Sequence, residues 1–300
     1  MKHILNSMFL QETINSIDEK YKNIVDFEFE KYFTYSNLFQ MPLYYNLFTY
    51  KKDPDYGLVN KIQTKKHFET IIFLIKEIRE NNYNSNYLLF LYSYICNMCL
   101  NCYIKGYQNA KVKANRFTSK KNKMFRYSKI GKYIEAQFYE EQTLNKIKYF
   151  KIDVNKLHLE DECFVLIDDL CKNIYYNSFA VDVYKISYKK FINYQHKNYS
   201  GFRFVHKLYT YILDLITYSK KESATSIYNI SSSSKKDYLN KENKLWLDGE
   251  SESYKSFNQL YQEALSMAVN LINLVSSDIF YNSKNEVLIK KLTNEIKSRF

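Results

Sequence analysis

The most informative pattern in the chain is an almost continuous apolar stretch, residues 88–107, that polar residues interrupt at regular intervals. The interrupting residues, each four positions after the last, are Ser93, Asn97, Asn101 and Lys105. Residues four apart lie on the same face of an α-helix, so the pattern predicts one long helix with a polar stripe. An unpaired polar group inside a protein costs about 1–3 kcal/mol, so the stripe either lines a polar cavity or meets polar partners on other helices.

Apolar residues three and four positions apart predict helices along most of the remaining chain. The predicted helices cover residues 3–19, a segment beginning after Thr64, a segment through residues 130–138, residues 157–176, 180–195 and 203–218, and a last helix from Ser256. Gln259 completes a capping box with Ser256, which marks the start of that last helix. The polar segments 108–125 and 219–255 predict loops, and a loop as long as the second is usually functional or covers the surface.

The composition favours an all-α fold. The 300 residues include 5 glycines and 2 prolines, which is few for a β-rich protein, because turns between strands draw on both residue types. No repeat or domain boundary is visible, so we predict a single helical domain over residues 1–300. Gln11 and Glu12 interrupt the first apolar segment before it reaches the length of a signal peptide, so we expect a cytoplasmic protein. Asn97 and Asn101, central in the longest apolar helix, argue against a transmembrane segment.

The net charge of +12 is compatible with an anionic partner, and much of it is local, since no acidic residue occurs from 108 to 134. The candidate anion-binding residues of this segment are Lys111, Lys113, Arg116, Lys120, Lys121, Lys123 and Arg126. The simpler interpretation is a solvated loop. As a binding segment, it would suit an anionic lipid surface or a phosphate-bearing ligand, with nucleic acid as an alternative.

Local motifs do not indicate a catalytic centre. Cys96, Cys99 and Cys102 have a spacing found among iron–sulfur ligands, but residues three apart on a helix are rotated by about 300°, so these side chains do not converge. We predict them to be buried, reduced thiols, together with Cys163 and Cys171. The chain also lacks the HExxH, GxSxG and glycine-rich phosphate-binding motifs.

Several segments follow one another in the order and approximate spacing of a known family. They are Leu43-Tyr44-Tyr45-Asn46, Asn60-Lys61-Ile62-Gln63, the central helix from Tyr94 to Tyr107, Trp246, and Ser256-Phe257-Asn258-Gln259-Leu260-Tyr261-Gln262-Glu263-Ala264-Leu265. Together they resemble the bacterial zinc-dependent phospholipase C family, helical proteins related to the P1 nucleases. The resemblance implies a phospholipase C/P1 nuclease-like fold, in which zinc ions are bound mainly by histidine and aspartate side chains.

The departures from the family fall on the metal ligands. The resemblance places the former metal cleft at His3, Gln40, Gln63, Asn97, Asn101, Lys105, Tyr127 and Glu135. Amides are poor zinc ligands, and Lys105 would put a positive charge where a dication binds. Without a metal ion no water is activated for attack on a phosphodiester, so we expect no catalytic residue and no cofactor. A stripe that only hydrogen-bonds neighbouring helices explains the same residues equally well.

Three functions are compatible with the sequence. The one we favour is a degenerate phospholipase C-like protein without hydrolase activity, a pseudoenzyme, which binds an anionic lipid surface or a phosphate-bearing ligand. The first alternative is an active metal-dependent phospholipid or phosphodiester hydrolase whose zinc is held by a rearranged set, such as His3, Glu135 and cysteines of the central helix. The second is a basic nucleic-acid-binding protein, whose binding would weaken steeply with salt.

Overall fold

The fold is taken from a computed structural model, which describes residues 3–40, 62, 65–114, 123–176, 180–199, 236–248 and 251–298. Helices account for 77% of these residues, and their strands form one two-stranded sheet. The prediction of an all-α fold is therefore confirmed. The predicted helix at 203–218 and the segments resembling the phospholipase C family at 43–46 and 60–61 lie outside the described residues.

The helices alternate with short turns and 3₁₀ segments. The α-helices are α1 His3–Ser16, α2 Glu19–Lys22, α3 Phe29–Asn37, α4 His67–Glu80, α5 Ser85–Ala114, α6 Lys123–Thr143, α7 Asp161–Tyr175, α8 Ala180–Tyr199, α9 Phe257–Tyr281 and α10 Glu286–Ser298. The 3₁₀ helices are Leu38–Gln40, Ile147–Tyr149 and Val154–Lys156, and the strands are β1 Trp246–Asp248 and β2 Ser251–Ser253.

The chain divides into two compact units. The first comprises Met1–Leu5, Tyr103–Val154 and Ile192–Gln262. The second comprises Asn6–Cys102, Asn155–Phe191 and Glu263–Phe300. Four of the α-helices, α1, α5, α8 and α9, contribute residues to both units.

In the second unit, α4 packs against both α7 and α10. Its apolar residues Ile71, Ile75 and Ile78 recur four and three positions apart and are buried, as the sequence pattern predicts. A hydrogen bond of 2.8 Å between the hydroxyl groups of Thr70 and Tyr175 joins α4 to α7. The helix begins at His67, after Lys66 in a left-handed conformation, and the predicted cap Thr64 lies outside the described residues.

The first unit contains a small aromatic core. Phe138 of α6 lies with its ring centroid 4.5 Å from that of Tyr261 and 5.3 Å from that of Phe257. The amide N–H of Ser256 donates to Gln259 Oε1 at 2.8 Å, and the N–H of Gln259 donates to Ser256 Oγ at 3.2 Å. This reciprocal pair confirms the predicted capping box at the start of α9.

Two predicted loops are corrected by the structure. Within the segment 108–125, α5 continues to Ala114 and α6 already begins at Lys123. Lys111 and Lys113 lie in the last turn of α5, where positive side chains favour the helix through its dipole, although this turn lacks an apolar pattern. Within the segment 219–255, residues 219–235 lie outside the described residues, whereas the strands Trp246–Asp248 and Ser251–Ser253 pair antiparallel, and we call this pair of strands the hairpin. Its buried Trp246 lies edge-on to Tyr107, with 5.2 Å between ring centroids.

Among the described residues, two helices, α5 and α9, are long and apolar enough to cross a membrane by length and composition alone. In α5 the apolar window is 94% buried within the protein, as in the core helix of a soluble protein, whereas in α9 it is 50% buried. Two such helices are weak evidence for membrane insertion.

Candidate functional site

The predicted polar stripe is present on α5. Ser93 and Asn97 are buried, whereas Asn101 and Lys105 are half-buried. Asn101 Nδ2 donates to Asn97 Oδ1 at 2.8 Å, so one bond of the stripe is made within the helix itself. Asn97 Nδ2 and Ser93 Oγ are buried without a hydrogen-bond partner among the described residues. The stripe is therefore satisfied only in part by its own helix.

Three other residues of the predicted cleft are only partly described or lie outside the description. The backbone of Gln40 belongs to a 3₁₀ helix and that of Tyr127 to α6, and Gln63 lies outside the described residues. The vestigial cleft as a whole thus stays a prediction. Among the residues that the structure does describe, no group of three or more His, Cys, Asp or Glu side chains is placed to hold a metal ion.

In the first unit, Glu135 closes the start of α1. Its Oε1 accepts the backbone N–H of Ile4 at 2.7 Å and that of Leu5 at 3.1 Å. The first turn of a helix has N–H groups without intrahelical partners and carries a partial positive charge, so a carboxylate binds well there. His3 is buried in the same turn, and the Glu135 carboxylate serves there as a helix cap.

Lys132 lies one turn before Glu135 on α6 and is only 5% exposed. Its Nζ has no hydrogen-bond partner among the described residues. Burial lowers the pKa of Lys132 to about 7, and the nearby charge of Glu135 partly opposes this change. Burial in turn raises the pKa of Glu135, against the N–H donors of Leu5 and Ile4. Burial therefore makes the charged forms of both side chains costly inside the first unit.

The predicted anion-binding residues fall into three groups. Lys111 is half-buried, with Nζ 3.2 Å from Asn240 Oδ1 and 5.1 Å from the ring centroid of Tyr107. Lys113 is exposed at the end of α5. Of the others, the backbones of Lys123 and Arg126 belong to α6, and Arg116, Lys120 and Lys121 lie outside the described residues. Anion binding by this segment stays a prediction, and the contacts of Lys111 join α5 to the segment before the hairpin.

A second basic segment, which the sequence analysis did not single out, follows α6. We call residues 144–151, LNKIKYFK, the apolar-basic loop. Leu144 is 92% exposed and Tyr149 is 63% exposed. Lys146 and Lys151 are exposed and form no ion pair with any described residue. The loop thus presents apolar and positively charged groups together.

The apolar-basic loop is held firmly by its other residues. Ile147 is buried, and its N–H donates to Glu140 Oε1 at 3.0 Å. Phe150 is buried edge-on against Tyr139, with 5.7 Å between ring centroids. Leu144 itself has φ 58°, a left-handed conformation that costs a leucine about 1–2 kcal/mol. The sequence signal was the alternation of lysines with apolar residues, without an acid, at 146–151.

The five cysteines are free and buried, which confirms their prediction as reduced core thiols. Burial raises the pKa of Cys96 and of Cys163 to about 12, so neither thiol is reactive at neutral pH. Cys102 Sγ lies 3.1 Å from the carbonyl oxygen of Ile296. The central cysteines therefore contribute to packing, in line with their position on a buried helix.

Comparison with known proteins yields no family model, no curated protein and no solved structure that matches this chain.

Proposed function

We propose that this protein is a non-hydrolytic binding protein that attaches to anionic lipid surfaces through the apolar-basic loop. The observation that supports this most directly is Leu144, which is 92% exposed and is followed by Lys146 and Lys151, two exposed lysines without an ion pair to any described residue. The exposure of this leucine side chain to water is offset when the side chain enters a bilayer interface. The phospholipase C-like ancestry stays a prediction from the sequence, and this surface is independent of it.

The magnitudes are those of reversible peripheral binding. Burying an apolar side chain contributes about 0.8 kcal/mol per CH₂ group, so partial insertion of Leu144 provides about 2 kcal/mol. Each lysine near an anionic membrane contributes about 1 kcal/mol, so Lys146 and Lys151 together add about 2 kcal/mol. Tyr149 has the amphipathic ring that is enriched at membrane interfaces. The total of about 4 kcal/mol is weaker than firm anchoring and suits attachment that responds to lipid composition.

The test is sedimentation with vesicles of phosphatidylcholine containing about 30% phosphatidylserine, compared with phosphatidylcholine alone. Leu144→Asn removes the apolar side chain but keeps a residue that tolerates a left-handed backbone, so the fold is preserved. We expect this variant to lower the partition coefficient by about 30-fold, because about 2 kcal/mol is lost. The matched control is Leu247→Asn, a half-exposed leucine of β1 in the same unit.

The charge contribution is tested by reversing both lysines, K146E/K151E. We expect at least a 30-fold loss of binding to the anionic vesicles, because about 1 kcal/mol is lost per lysine and repulsion is added. The control K241E/K244E carries the same charge change at lysines that are already paired with Glu141 and Glu242. Equal losses from both double variants would mean that only net charge matters, which contradicts a loop-specific contact.

Nucleic-acid binding is distinguished from lipid binding by its salt dependence and by its response to the Leu144→Asn substitution. A purely electrostatic ligand such as single-stranded DNA would be displaced by raising the salt from about 0.1 M to about 0.5 M. It would also bind the Leu144→Asn variant as well as the wild type. DNA binding with this behaviour, together with no binding to anionic vesicles, would overturn the lipid proposal in favour of nucleic acid.

A further inference from the structure

A second exposed apolar and basic surface lies in the other unit, at the turn between α9 and α10. We call residues 281–291 the α9–α10 corner. Its exposed apolar side chains are Tyr281 at 61%, Val287 at 79% and Leu288 at 49%. Lys284 and Lys291 are exposed beside them, and neither forms an ion pair with a residue that the structure describes. The segment contains three lysines and one acid, Glu286, so it is positively charged.

The corner is rigidly built by hydrogen bonds behind it. Ser283 Oγ donates to the carbonyl oxygen of Ser277 at 2.9 Å, and the N–H of Asn285 donates to Asp278 Oδ1 at 3.2 Å. Asp278 is also paired with Arg79 of α4, at 3.6 Å. The exposed side chains are therefore presented in a fixed arrangement, so binding does not require the ordering of a flexible loop.

The two faces of α10 are clearly different. Ile289, Thr293 and Ile296 recur four and three positions apart and are buried, so they form the inner face. Val287 and Leu288 lie on the outside at the start of the helix. A stable protein–protein interface uses about 20–30 residues a side, whereas contact with a membrane surface needs only a few apolar side chains flanked by lysines. The size and charge of the corner fit the second kind of partner.

The geometry points to the α9–α10 corner as a second lipid contact, at which Val287 and Leu288 enter the interface of an anionic bilayer while Lys284 and Lys291 bind headgroup phosphates. This inference rests on the proposed function, because the ligand is the same anionic lipid surface. The corner lies in the second unit, and the apolar-basic loop lies in the first. Each surface can therefore be altered separately in the full chain.

The experiment measures binding of two corner variants to the same phosphatidylserine-containing vesicles. V287S/L288S is expected to lower the partition coefficient by about tenfold to a hundredfold, and K284E/K291E by about 30-fold or more. Val165→Ser is the apolar control, because Val165 is 57% exposed on α7 but surrounded by acidic residues. The charge control is K185E/K189E on α8, at two other exposed lysines of this unit. Both controls should keep wild-type binding.

Direct insertion is measured with a fluorescent label. All five native cysteines are buried, so Val287→Cys provides an exposed thiol for an environment-sensitive dye. On anionic vesicles its emission should shift to the blue and brighten, whereas the dye at Val165→Cys should not change. The label reports position, so it does not depend on how much the corner contributes to affinity.

The outcomes distinguish this inference from the proposed function. The second contact is overturned if V287S/L288S binds vesicles like the wild type and the dye at Val287→Cys does not change its emission. If Leu144→Asn loses binding in the same experiments, the apolar-basic loop remains as the lipid contact. Absence of any wild-type binding to anionic vesicles overturns both. A third outcome is that the protein self-associates and that V287S/L288S alone abolishes this self-association while it still binds vesicles like the wild type. In that case the corner binds a second copy of the chain, and the lipid contact is overturned.

Discussion

Replacing Lys132 with methionine should stabilise the protein and remove one pH dependence. The Nζ of Lys132 is buried without a hydrogen-bond partner among the described residues, and its pKa is lowered from 10.5 to about 7. Between these pH values the unfolded chain holds a proton on Lys132 that the folded chain has released. The free energy of unfolding of the wild type therefore rises with pH across this window. Methionine fills a similar volume without a charge, so the variant lacks this rise.

The magnitude follows from the pKa difference. Each pKa unit corresponds to about 1.4 kcal/mol, so the change from 10.5 to about 7 amounts to on the order of 5 kcal/mol below pH 7. Relaxation of the protein and water penetration around a buried ammonium reduce this free-energy cost. We therefore expect Lys132→Met to raise the free energy of unfolding by about 2–4 kcal/mol at pH 7. The gain should shrink as the pH rises towards 10.5, because above that value the lysine is neutral in both the folded and the unfolded states.

The assay is urea unfolding of the wild type and Lys132→Met at several values between about pH 7 and about pH 9.5. Lys113→Met is the control, because Lys113 is exposed at the end of α5 and should change neither the free energy of unfolding nor its pH dependence by much. The reasoning is refuted if Lys132→Met is no more stable than the wild type at pH 7 and both have the same pH dependence.

Three further predictions concern the cap, the metal and the thiols. Glu135→Ala should lower the free energy of unfolding by about 1–3 kcal/mol in the same urea assay, because the N–H groups of Ile4 and Leu5 lose their acceptor. The control Glu140→Ala removes the acceptor of one N–H group and should have a smaller effect. After incubation of the protein with zinc, elemental analysis should find less than about a tenth of an equivalent of zinc per chain, because amides are poor zinc ligands. A content of two or three equivalents would favour the hydrolase alternative. A thiol reagent at neutral pH should modify the five buried cysteines only after denaturation, and rapid reaction of the native protein would contradict their burial.

The elements with strong periodicity were predictable from the sequence, and those set by local backbone chemistry were not. The buried face of α4 and the capping box of α9 follow directly from residue spacing. By contrast, the extension of α5 to Ala114 depends on a charged last turn, and the pairing of β1 with β2 depends on burial of Trp246. Neither signal is visible as an apolar pattern over a window of eleven residues or more.

The candidate sites divide in the same way. The stripe at Ser93, Asn97 and Asn101 was predicted because it has a helical period, and the structure places it on one buried helix. The burial of Lys132 could not be predicted, because a lysine in a basic run is normally solvated. The exposure of Leu144 could not be predicted either, because a sequence shows that a residue is apolar but not that its side chain lies on the surface.

Both proposed lipid contacts begin where a helix ends on a left-handed residue that is not glycine. Leu144 follows α6 with φ 58°, and Asn282 follows α9 with φ 52°. Glycine is the usual residue at such helix ends, and it would close α6 without the cost that leucine incurs. Asparagine tolerates this conformation, so the α9 end is unstrained and its apolar groups come from the next helix. Leu144 therefore combines a strained backbone with an exposed side chain, and insertion into a bilayer offsets the exposure of the side chain while the backbone cost remains.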